Sequence, residues 1–446
     1  MKQDRRRFLA STGSAFAALA ASGCARSDRL GAGPARGASQ SAGPGQGYGA
    51  LVPDPEGLLD LPPGFSYRLL SRLGDQMDDG GTVPDRADGM GCFDLGGGRL
   101  ALVRNHELQP QHDGGGVAGP AYDTVARSLV PLPGGTTTIV LDAATLAVER
   151  QYRSLAGTIR NCAGGITPWG SWLSCEENTD TANGRINKDH GWVFEVPATA
   201  PGLVTPVPLT AMGRFNHEAA CVDPASGIVY LTEDRDDSLL YRFIPAQAGA
   251  LAEGGRLEAL SLQGVADTRN WSARSVETGG WHAANWVALE DVESPRDDLR
   301  QRGATAGASV FARGEGIWMG EGELYFACTS GGAAEQGQIF RLRPQASGPD
   351  RLQLFFESAD REQFSFGDNL TVAPDGHLIV CEDQYTPIVA NHLRGITPEG
   401  RSYPFAFMRL QTELAGACFS PNGRTLFVNA YSPAHTLAIN GPWKWL

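Results

Sequence analysis

Paired acidic residues follow short apolar segments at three separate places in this sequence. Glu176 and Glu177 end one segment, Glu233 and Asp234 a second, and Glu382 and Asp383 a third. A single such pair is usually a solvated turn. The same pair at one repeated position predicts a cluster of like charges, and such a cluster needs cations because each unpaired buried carboxylate costs several kcal/mol. Oxygen ligands of this kind suit Ca²⁺.

An internal repeat explains why these positions correspond. Each copy has a Gly or Pro turn, a β-rich apolar segment and a polar end, which is typical of a strand in a propeller blade. The six copies are GGGRLALVRNHE (96–107), TPWGSWLSCEEN (167–178), PASGIVYLTEDR (224–235), GEGELYFACTS (320–330), APDGHLIVCED (373–383) and SPNGRTLFVNAY (420–431). We predict an all-β, six-bladed β-propeller with insertions, formed by residues 51–446 as a single domain.

The repeated strands are expected to be the innermost strands of the blades, converging on a central channel. Aligning the copies on their last apolar residue places Glu176, Glu233 and Glu382 at one position, and Glu107 is assigned to the same set. The sequence therefore predicts a ring of carboxylates that binds calcium.

Two kinds of cysteine are distinguished by this alignment. Cys175 and Cys381 lie within repeated strands, so they are expected to be small buried packing residues. Cys162 lies outside the repeat, in the Gly-rich segment NCAGG, which we interpret as a loop where a metal could hold a thiolate. The odd number of cysteines beyond Cys24, with no short spacing, argues against a disulfide framework.

Composition and the N-terminus suggest where the protein acts. The chain has 446 residues and a net charge of −13, which argues against a nucleic-acid partner. Residues 1–23, with Arg5, Arg6 and Arg7 before an Ala-rich stretch, resemble a twin-arginine export signal. A lipobox-like sequence ends at Cys24, a possible lipid anchor, and residues 24–50 have the composition of a flexible linker. We expect a periplasmic, envelope-associated or secreted protein.

Several motifs resemble the PhoX-type alkaline phosphatases, which are exported propeller enzymes that use calcium together with iron. The matching stretches are RNHE (104–107), NCAGGITPWGSWLSCEEN (161–178), GRFNHEAACVDP (213–224), VYLTEDR (229–235), FARGEG (311–316) and GDNLTVAPDGHLIVCED (367–383). They occur in order over most of residues 95–385, and the chain resembles a short member of the family.

The resemblance implies a metal cluster at one end of the propeller, with Fe³⁺ ions bridged by the Cys162 thiolate and Ca²⁺ ions beside them. Arg313 would bind phosphate and stabilise the charge of the transition state. The metal ligands that the resemblance implies are Cys162, Glu107, Glu176, Glu218, Glu233, Glu315, Asp368 and Glu382.

Simpler interpretations exist for some of these residues. Arg313 could be a surface ion-pair partner, and His106 and His217 are expected to support the site or belong to the core, because neighbours in a strand point apart. Asn161, Asn178 and Asn369 could supply calcium oxygens or simply form turns.

The leading hypothesis is an exported phosphomonoesterase, monomeric, that releases phosphate from small phosphorylated substrates. One alternative is a propeller hydrolase that uses calcium alone, of the lactonase or phosphotriesterase type. Another is a non-catalytic, calcium-stabilised scaffold of the cell envelope. Cys162 distinguishes the enzyme hypotheses, since only an iron site needs its thiolate.

Overall fold

The computed structural model describes residues 40–41, 47–116 and 119–445. The predicted export signal, Cys24 and most of the predicted linker lie outside the described residues. No helix in the described part of the chain has the length and apolarity needed to span a membrane.

The described chain is almost entirely β-structure. One short α-helix, α1 (Leu299–Thr305), and two 3-10 turns, Thr210–Met212 and Leu251–Glu253, are the helical elements within these ranges. The strands are β1 (Gln40–Ser41), β2 (Leu59–Asp60), β3 (Ser66–Arg72), β4 (Ala87–Gly96), β5 (Arg99–His106), β6 (Gly134–Asp142), β7 (Val148–Thr158), β8 (Asn161–Ile166), β9 (Ser171–Glu176), β10 (Val193–Pro197), β11 (His217–Val222), β12 (Val229–Glu233), β13 (Tyr241–Pro245), β14 (Gly255–Leu262), β15 (Trp281–Ala288), β16 (Gly314–Met319), β17 (Leu324–Cys328), β18 (Gln338–Arg343), β19 (Asp350–Glu357), β20 (Gly367–Val372), β21 (Leu378–Glu382), β22 (His392–Ile396), β23 (Arg401–Met408), β24 (Leu414–Phe419), β25 (Leu426–Ala430) and β26 (His435–Asn440).

These strands form a propeller-like arrangement of mostly antiparallel sheets. Four sheets are separate: β4 to β7, β8 to β10, β20 to β23 with β1 and β2 added to β23, and β24 to β26 with β3. The fifth is a continuous nine-stranded sheet, in which β15 joins β11–β14 to β16–β19. The all-β, propeller-like architecture is therefore confirmed, but strand pairing alone does not divide the chain into the six blades predicted from the sequence.

Six strands lie innermost: one from each of the four separate sheets, and two, β11 and β16, from the nine-stranded sheet. β4, β8, β11, β16, β20 and β24 contact one another in this order, and β24 contacts β4, so these strands form a closed ring. We call it the inner ring. The repeated segments form β5, β9, β12, β17, β21 and β25, each of which pairs with an inner-ring strand as the second strand of its sheet. The expectation that the repeat supplies the innermost strands is corrected accordingly.

Each inner-ring strand has a one-residue register shift at the same point in its pairing with the second strand. The shifts lie between Ala87 and Met90, Asn161 and Gly164, His217 and Ala220, Gly314 and Ile317, Gly367 and Leu370, and Ala415 and Cys418. The first residue within each bulge defines what we call the bulge position, and its six occupants are Asp88, Cys162, Glu218, Glu315, Asp368 and Gly416.

Cys162 thus lies on a strand, whereas the sequence analysis placed it in a loop. The glycines that suggested a loop are needed because β8 is packed closely between its neighbours. A Cβ atom on Gly164 would lie 1.9 Å from the carbonyl oxygen of Leu173, and one on Gly165 would lie 2.0 Å from that of Ala220. Small residues here reflect crowding at the inner ring rather than a turn.

The two ends of the described chain meet in one sheet. β3, near the N-terminal end, pairs with β26, and Leu69 lies opposite Leu437. Leu437 is fully buried in a cluster that also contains Phe405 and Trp443. This seam closes the circle of sheets, so its packing should stabilise the whole molecule.

We therefore expect Leu437→Ala to lower the free energy of unfolding by about 2–5 kcal/mol, as for other buried leucines. The matched control is Leu129→Ala, because Leu129 is 94% exposed, and it should change stability by less than about 0.5 kcal/mol. Urea unfolding followed by tryptophan fluorescence compares the two. Equal effects of the two substitutions would contradict the role given to the seam.

Candidate metal and phosphate site

Five of the six bulge positions hold side chains that can bind a metal. Asp88, Cys162, Glu218, Glu315 and Asp368 are all buried. The Cys162 thiol lies 3.5 Å from Oδ2 of Asp88, on the neighbouring inner-ring strand. The inner ring thus brings together Cys162, Glu218, Glu315 and Asp368, which the sequence analysis named, and adds Asp88, which it missed.

A short sequence signal could have identified Asp88. At four of the five bulges that hold a candidate ligand, the next residue is Gly or Ala, as in Asp88-Gly89, Cys162-Ala163 and Glu315-Gly316. The small residue is required because a Cβ atom on Gly89 would lie 2.5 Å from Cα of Ala163. Asp88 occurs in the same pattern, upstream of the first repeat copy rather than inside it.

Polar side chains of the second strands hold several bulges in place. Asn105 donates from Nδ2 to the carbonyl oxygens of Cys162 at 3.2 Å and Ala163 at 2.7 Å. Thr232 donates to the carbonyl oxygen of Glu315 at 2.6 Å, and Asn429 to that of Asp88 at 2.7 Å. In each case the donor lies on the second strand that pairs with a neighbouring inner-ring strand, so adjacent parts of the ring fix the orientation of the candidate ligands.

A second row of acids lies just beyond the ends of the second strands. Glu107, Glu177, Asp234 and Asp383 each follow the last paired residue of β5, β9, β12 and β21. Glu107 therefore corresponds to Glu177, whereas the sequence analysis had aligned it with Glu176. Three groups have potential ligand atoms within 4.8 Å of one another: Glu107 with Cys162 and Glu177, Glu218 with Glu315 and Asp368, and Asp368 with Asp383 and Glu413.

The structure does not bring Glu176, Glu233 and Glu382 to these groups. The carboxylate of Glu176 accepts hydrogen bonds from the amides of Ile159 and Gly191, both at 2.9 Å, and its Oε1 lies 2.6 Å from Nδ1 of His190. Because successive strand residues point to opposite sides, the acid that follows Glu176 reaches the cluster instead.

The other two terminal acids also have partners within the protein, although Oε1 of Glu233 has no hydrogen bond in the described chain and lies 3.6 Å from Nη1 of Arg300. Glu233 accepts from the hydroxyl of Tyr241 at 2.7 Å. Glu382 accepts from the amide of Ser365 at 2.9 Å and from Nε of Arg394 at 2.8 Å. The sequence pattern thus located these strand ends, and at two of them the structure places the second acid of the pair, Glu177 or Asp383, in a candidate group.

Glu218 is the residue whose surroundings most clearly require a cation. It is fully buried, and neither carboxylate oxygen has a hydrogen-bond partner within the described residues. Burial raises the pKa of Glu218 well above its usual range, and the negative charges of Asp368 and Glu177 raise it further. Buried polar groups in proteins are normally satisfied, so an orphaned carboxylate facing other acids indicates a ligand position.

The thiol of Cys162 is affected in the same direction. Burial raises the pKa of Cys162 well above its usual range, and Asp88 and Glu218 add to the effect. For Glu315, burial and Asp234 raise the pKa, and Arg313 opposes them in part. Multivalent cations would reverse these shifts by stabilising the thiolate and carboxylate forms. The donor set therefore fits metal binding.

Two arginines, Arg313 and Arg160, form ion pairs with acids of the candidate site. Arg313 donates from Nε to Oδ1 of Asp234 at 2.6 Å and from Nη2 to Oδ2 of Asp234 at 2.8 Å, and Nη2 also reaches Glu315 at 3.0 Å. Burial alone would lower the pKa of Arg313, but Asp234, Tyr385 and Glu315 together raise it well above its usual range. Arg160, which the sequence analysis did not single out, contacts Glu107 at 2.9 Å and also pairs with Glu177.

The remaining candidates have structural surroundings. His106 lies 2.9 Å from the hydroxyl of Thr137, and His217 lies 2.9 Å from the carbonyl oxygen of Gly213 and stacks on Phe215. Cys175 is fully buried in a hydrophobic cluster, and so is Cys381. These contacts agree with the supporting or packing roles expected for these residues.

Comparison with known proteins identifies the family. A model of the family described as alkaline phosphatase PhoX matches residues 46–145 and 134–434, which is most of the chain. The chain belongs to the PhoX alkaline phosphatase family. It is accordingly a phosphoester hydrolase that acts on phosphorylated substrates, and the resemblance seen in the sequence is confirmed.

One solved structure agrees with this assignment at the level of the fold. The structure of Pseudomonas fluorescens PhoX in complex with vanadate, a transition state analogue, has a TM-score of 0.69 and 19% identity, and covers 91% of this chain and 98% of that chain. A gluconolactonase from Xanthomonas campestris has a TM-score of only 0.38, with 14% identity over 88% of this chain and 98% of that chain. No curated protein sequence matches the chain.

PhoX phosphatases are metal-dependent, and the acidic groups described above are the candidate metal sites of this member. The orphaned carboxylate of Glu218 allows a direct test. In metal-free protein a carboxyl group with a raised pKa binds its proton more tightly when folded, so stability falls as the pH rises above the unfolded value. Glu218→Gln removes this penalty but also removes a ligand.

We expect metal-free Glu218→Gln to be more stable than the metal-free parent at pH 9, by about 1–3 kcal/mol, with a smaller difference at pH 6. Added calcium should stabilise the parent more than the variant, because binding to the folded state adds stability. Thermal unfolding in a chelator and in calcium measures both effects.

The matched control is Glu176→Gln, which weakens the hydrogen bonds that Glu176 accepts from backbone amides and should destabilise the protein with and without calcium. A Glu218→Gln variant that is less stable than the parent in chelator at both pH values would contradict the interpretation of Glu218.

Proposed function

We propose that the protein is an exported phosphomonoesterase of low leaving-group specificity, which releases inorganic phosphate from small organic phosphates at a cluster of Ca²⁺ and Fe³⁺ ions. The observation on which this proposal depends is the set of bulge residues: a thiol and four carboxylates on five adjacent strands of the inner ring, one of them without any hydrogen-bond partner in the described chain.

The chemistry of the donors suggests which ion each group would hold. Cys162, with Glu107 and Glu177, combines a soft thiolate with hard carboxylates and would suit iron. The groups that contain Glu218 and Asp368 offer only oxygen, which suits calcium. When bound, such ions supply Lewis acidity and neutralise the charge of the phosphoryl group.

The contributions of the protein's own residues follow from their contacts. Arg313 offers a planar guanidinium whose orientation is fixed by the two-point contact with Asp234, and a fixed fork suits the oxygens of a phosphate. Phosphoryl transfer depends mainly on positioning and charge neutralisation, so an oriented Arg313 beside a multivalent cluster is a suitable arrangement. Asn105 would orient Cys162 through the carbonyl bonds described above.

The proposal also extends to architecture and location. We propose six blades, with the nine-stranded sheet taken as two four-stranded blades joined by β15; the six strands of the inner ring support this division. Export would use the twin-arginine signal to the periplasm or cell envelope, with a possible lipid anchor at Cys24, and the enzyme would act as a monomer. All seven cysteines in the described residues are buried and form no disulfide, which is compatible with folding in a reducing compartment before export.

A metal inventory combined with an absorbance spectrum tests the proposal. We expect iron and calcium in the purified protein, a visible thiolate-to-iron absorption band, and hydrolysis of an aryl phosphate at alkaline pH. Cys162→Ser should abolish the band and lower kcat by at least about 100-fold, because it removes the thiolate from the cluster.

Cys175→Ser is the control, since Cys175 is a buried thiol that belongs to none of the three groups, and it should retain the band. Calcium without iron, together with no hydrolysis, would refute the proposal. Full activity of Cys162→Ser would instead favour a hydrolase that needs calcium alone, and bound metal without phosphate binding would favour a scaffold.

A further inference from the structure

Arg160 occupies a place on the inner ring that is equivalent to the place of Arg313. Arg86, Arg160 and Arg313 each lie two residues before a bulge position, namely before Asp88, Cys162 and Glu315. All three have left-handed backbones, with φ of 56°, 50° and 52°. Such a conformation is uncommon and unfavourable for arginine, so its occurrence at three equivalent points reflects the ring geometry.

The main-chain hydrogen bonds of Arg160 and Arg313 are equivalent. The amide of Arg160 donates to the carbonyl oxygen of Leu108, and the amide of Arg313 donates to that of Arg235. Each acceptor follows the second-row acid of the second strand that pairs with the preceding inner-ring strand. The carbonyl oxygens of the two arginines accept from the residues just beyond their own second strands, Glu177 and Thr329. The side chains of the two arginines therefore start from equivalent backbone positions on the ring.

The side-chain contacts are similar, with one difference. Arg160 pairs with Glu107, the second-row acid beside the preceding inner-ring strand, and with Glu177, the second-row acid beyond its own β9. Arg313 pairs with Asp234, the second-row acid beside its preceding inner-ring strand, and with the bulge residue Glu315. In both cases two acids fix one guanidinium over a group of candidate ligands.

Both arginines are more accessible than the donors at the bulges. The side chains of Arg160 and Arg313 are 14% and 12% exposed, whereas Cys162 and Glu218 are 1% and 0% exposed. Each guanidinium can therefore be reached from solvent while it contacts a candidate ligand, and a doubly charged phosphate has enough oxygens to contact more than one fork.

We propose that Arg160 is a second phosphate-binding residue, which contacts the substrate on the Cys162 side of the cluster as Arg313 does on the Glu315 side. This inference rests on the proposed function. The competing explanation is that Arg160 only neutralises Glu107 and Glu177. In that case its replacement would change stability or metal content without a specific effect on phosphate affinity.

The test compares Arg160→Lys and Arg160→Gln with the parent enzyme, in its metal-loaded form. Three quantities are measured: KM for an aryl phosphate, the inhibition constant of orthophosphate, and the metal content per chain. We expect Arg160→Gln to raise KM and the inhibition constant by about 10- to 100-fold, from the loss of a charge-assisted bond. Arg160→Lys retains the charge but not the fork and should give an intermediate increase with unchanged metal content.

Arg274→Gln is the control, because it breaks a comparable 2.8 Å ion pair with buried Glu357 on β19, which belongs to none of the three candidate groups. It should leave KM and the inhibition constant unchanged. Arg160→Lys with full metal content and parental values of both constants would overturn the inference, and so would effects of Arg160→Gln that are fully explained by lost metal. A parent enzyme that neither hydrolyses the aryl phosphate nor binds orthophosphate would overturn the proposed function as well.

Discussion

The one-residue bulge in each inner-ring strand is the feature on which the rest of the structure depends. A regular strand alternates its side chains between two faces, and both faces of an inner strand pack against neighbouring sheets. The extra residue breaks this alternation and allows one side chain per strand to leave the packing. The same displacement on five adjacent strands gathers Asp88, Cys162, Glu218, Glu315 and Asp368. A mixed thiol and carboxylate cluster therefore follows from a backbone irregularity repeated around a ring.

The clustered carboxylates repel one another, and this repulsion lowers the stability of the folded protein unless positive charge offsets it. Arginines at equivalent positions neutralise the second-row acids, as Arg160 does for Glu107 and Glu177. Among the buried bulge acids, Glu315 pairs with Arg313, whereas neither carboxylate oxygen of Glu218 has a hydrogen-bond partner among the described side chains. The division leaves the interior of the cluster in need of cations while its outer edge is already paired, which is the arrangement expected of a site built to bind metal and then an anion.

The sequence predicts the second strands well and the inner strands poorly, for a physical reason. Second strands such as β12 and β21 are short apolar segments preceded by turns, so their pattern is strong. Inner strands are crowded at the ring and must use glycine and alanine, as in NCAGGI of β8, and this composition is typical of a loop. The alignment of the repeat singled out Cys162, and the resemblance to a family supplied Glu218, Glu315 and Asp368. The pairing of Arg160 with Glu107 depends on a contact between two sheets that no local pattern contains.

The sixth bulge position, on β24, differs from the other five because it holds no potential metal ligand. Gly416 replaces a ligand there, and a Cβ atom would lie 2.3 Å from the carbonyl oxygen of Asp88. The amide of Gly416 instead donates to Oδ1 of Asn369, at 2.6 Å, beside the bulge residue Asp368. Strand β24 therefore closes the ring by close backbone approach and contributes no charge at its bulge. The candidate ligands at the bulge positions therefore come from five adjacent strands. They are unevenly distributed around the ring, because the thiol of Cys162 lies near one end of this series and only oxygen donors lie towards the other.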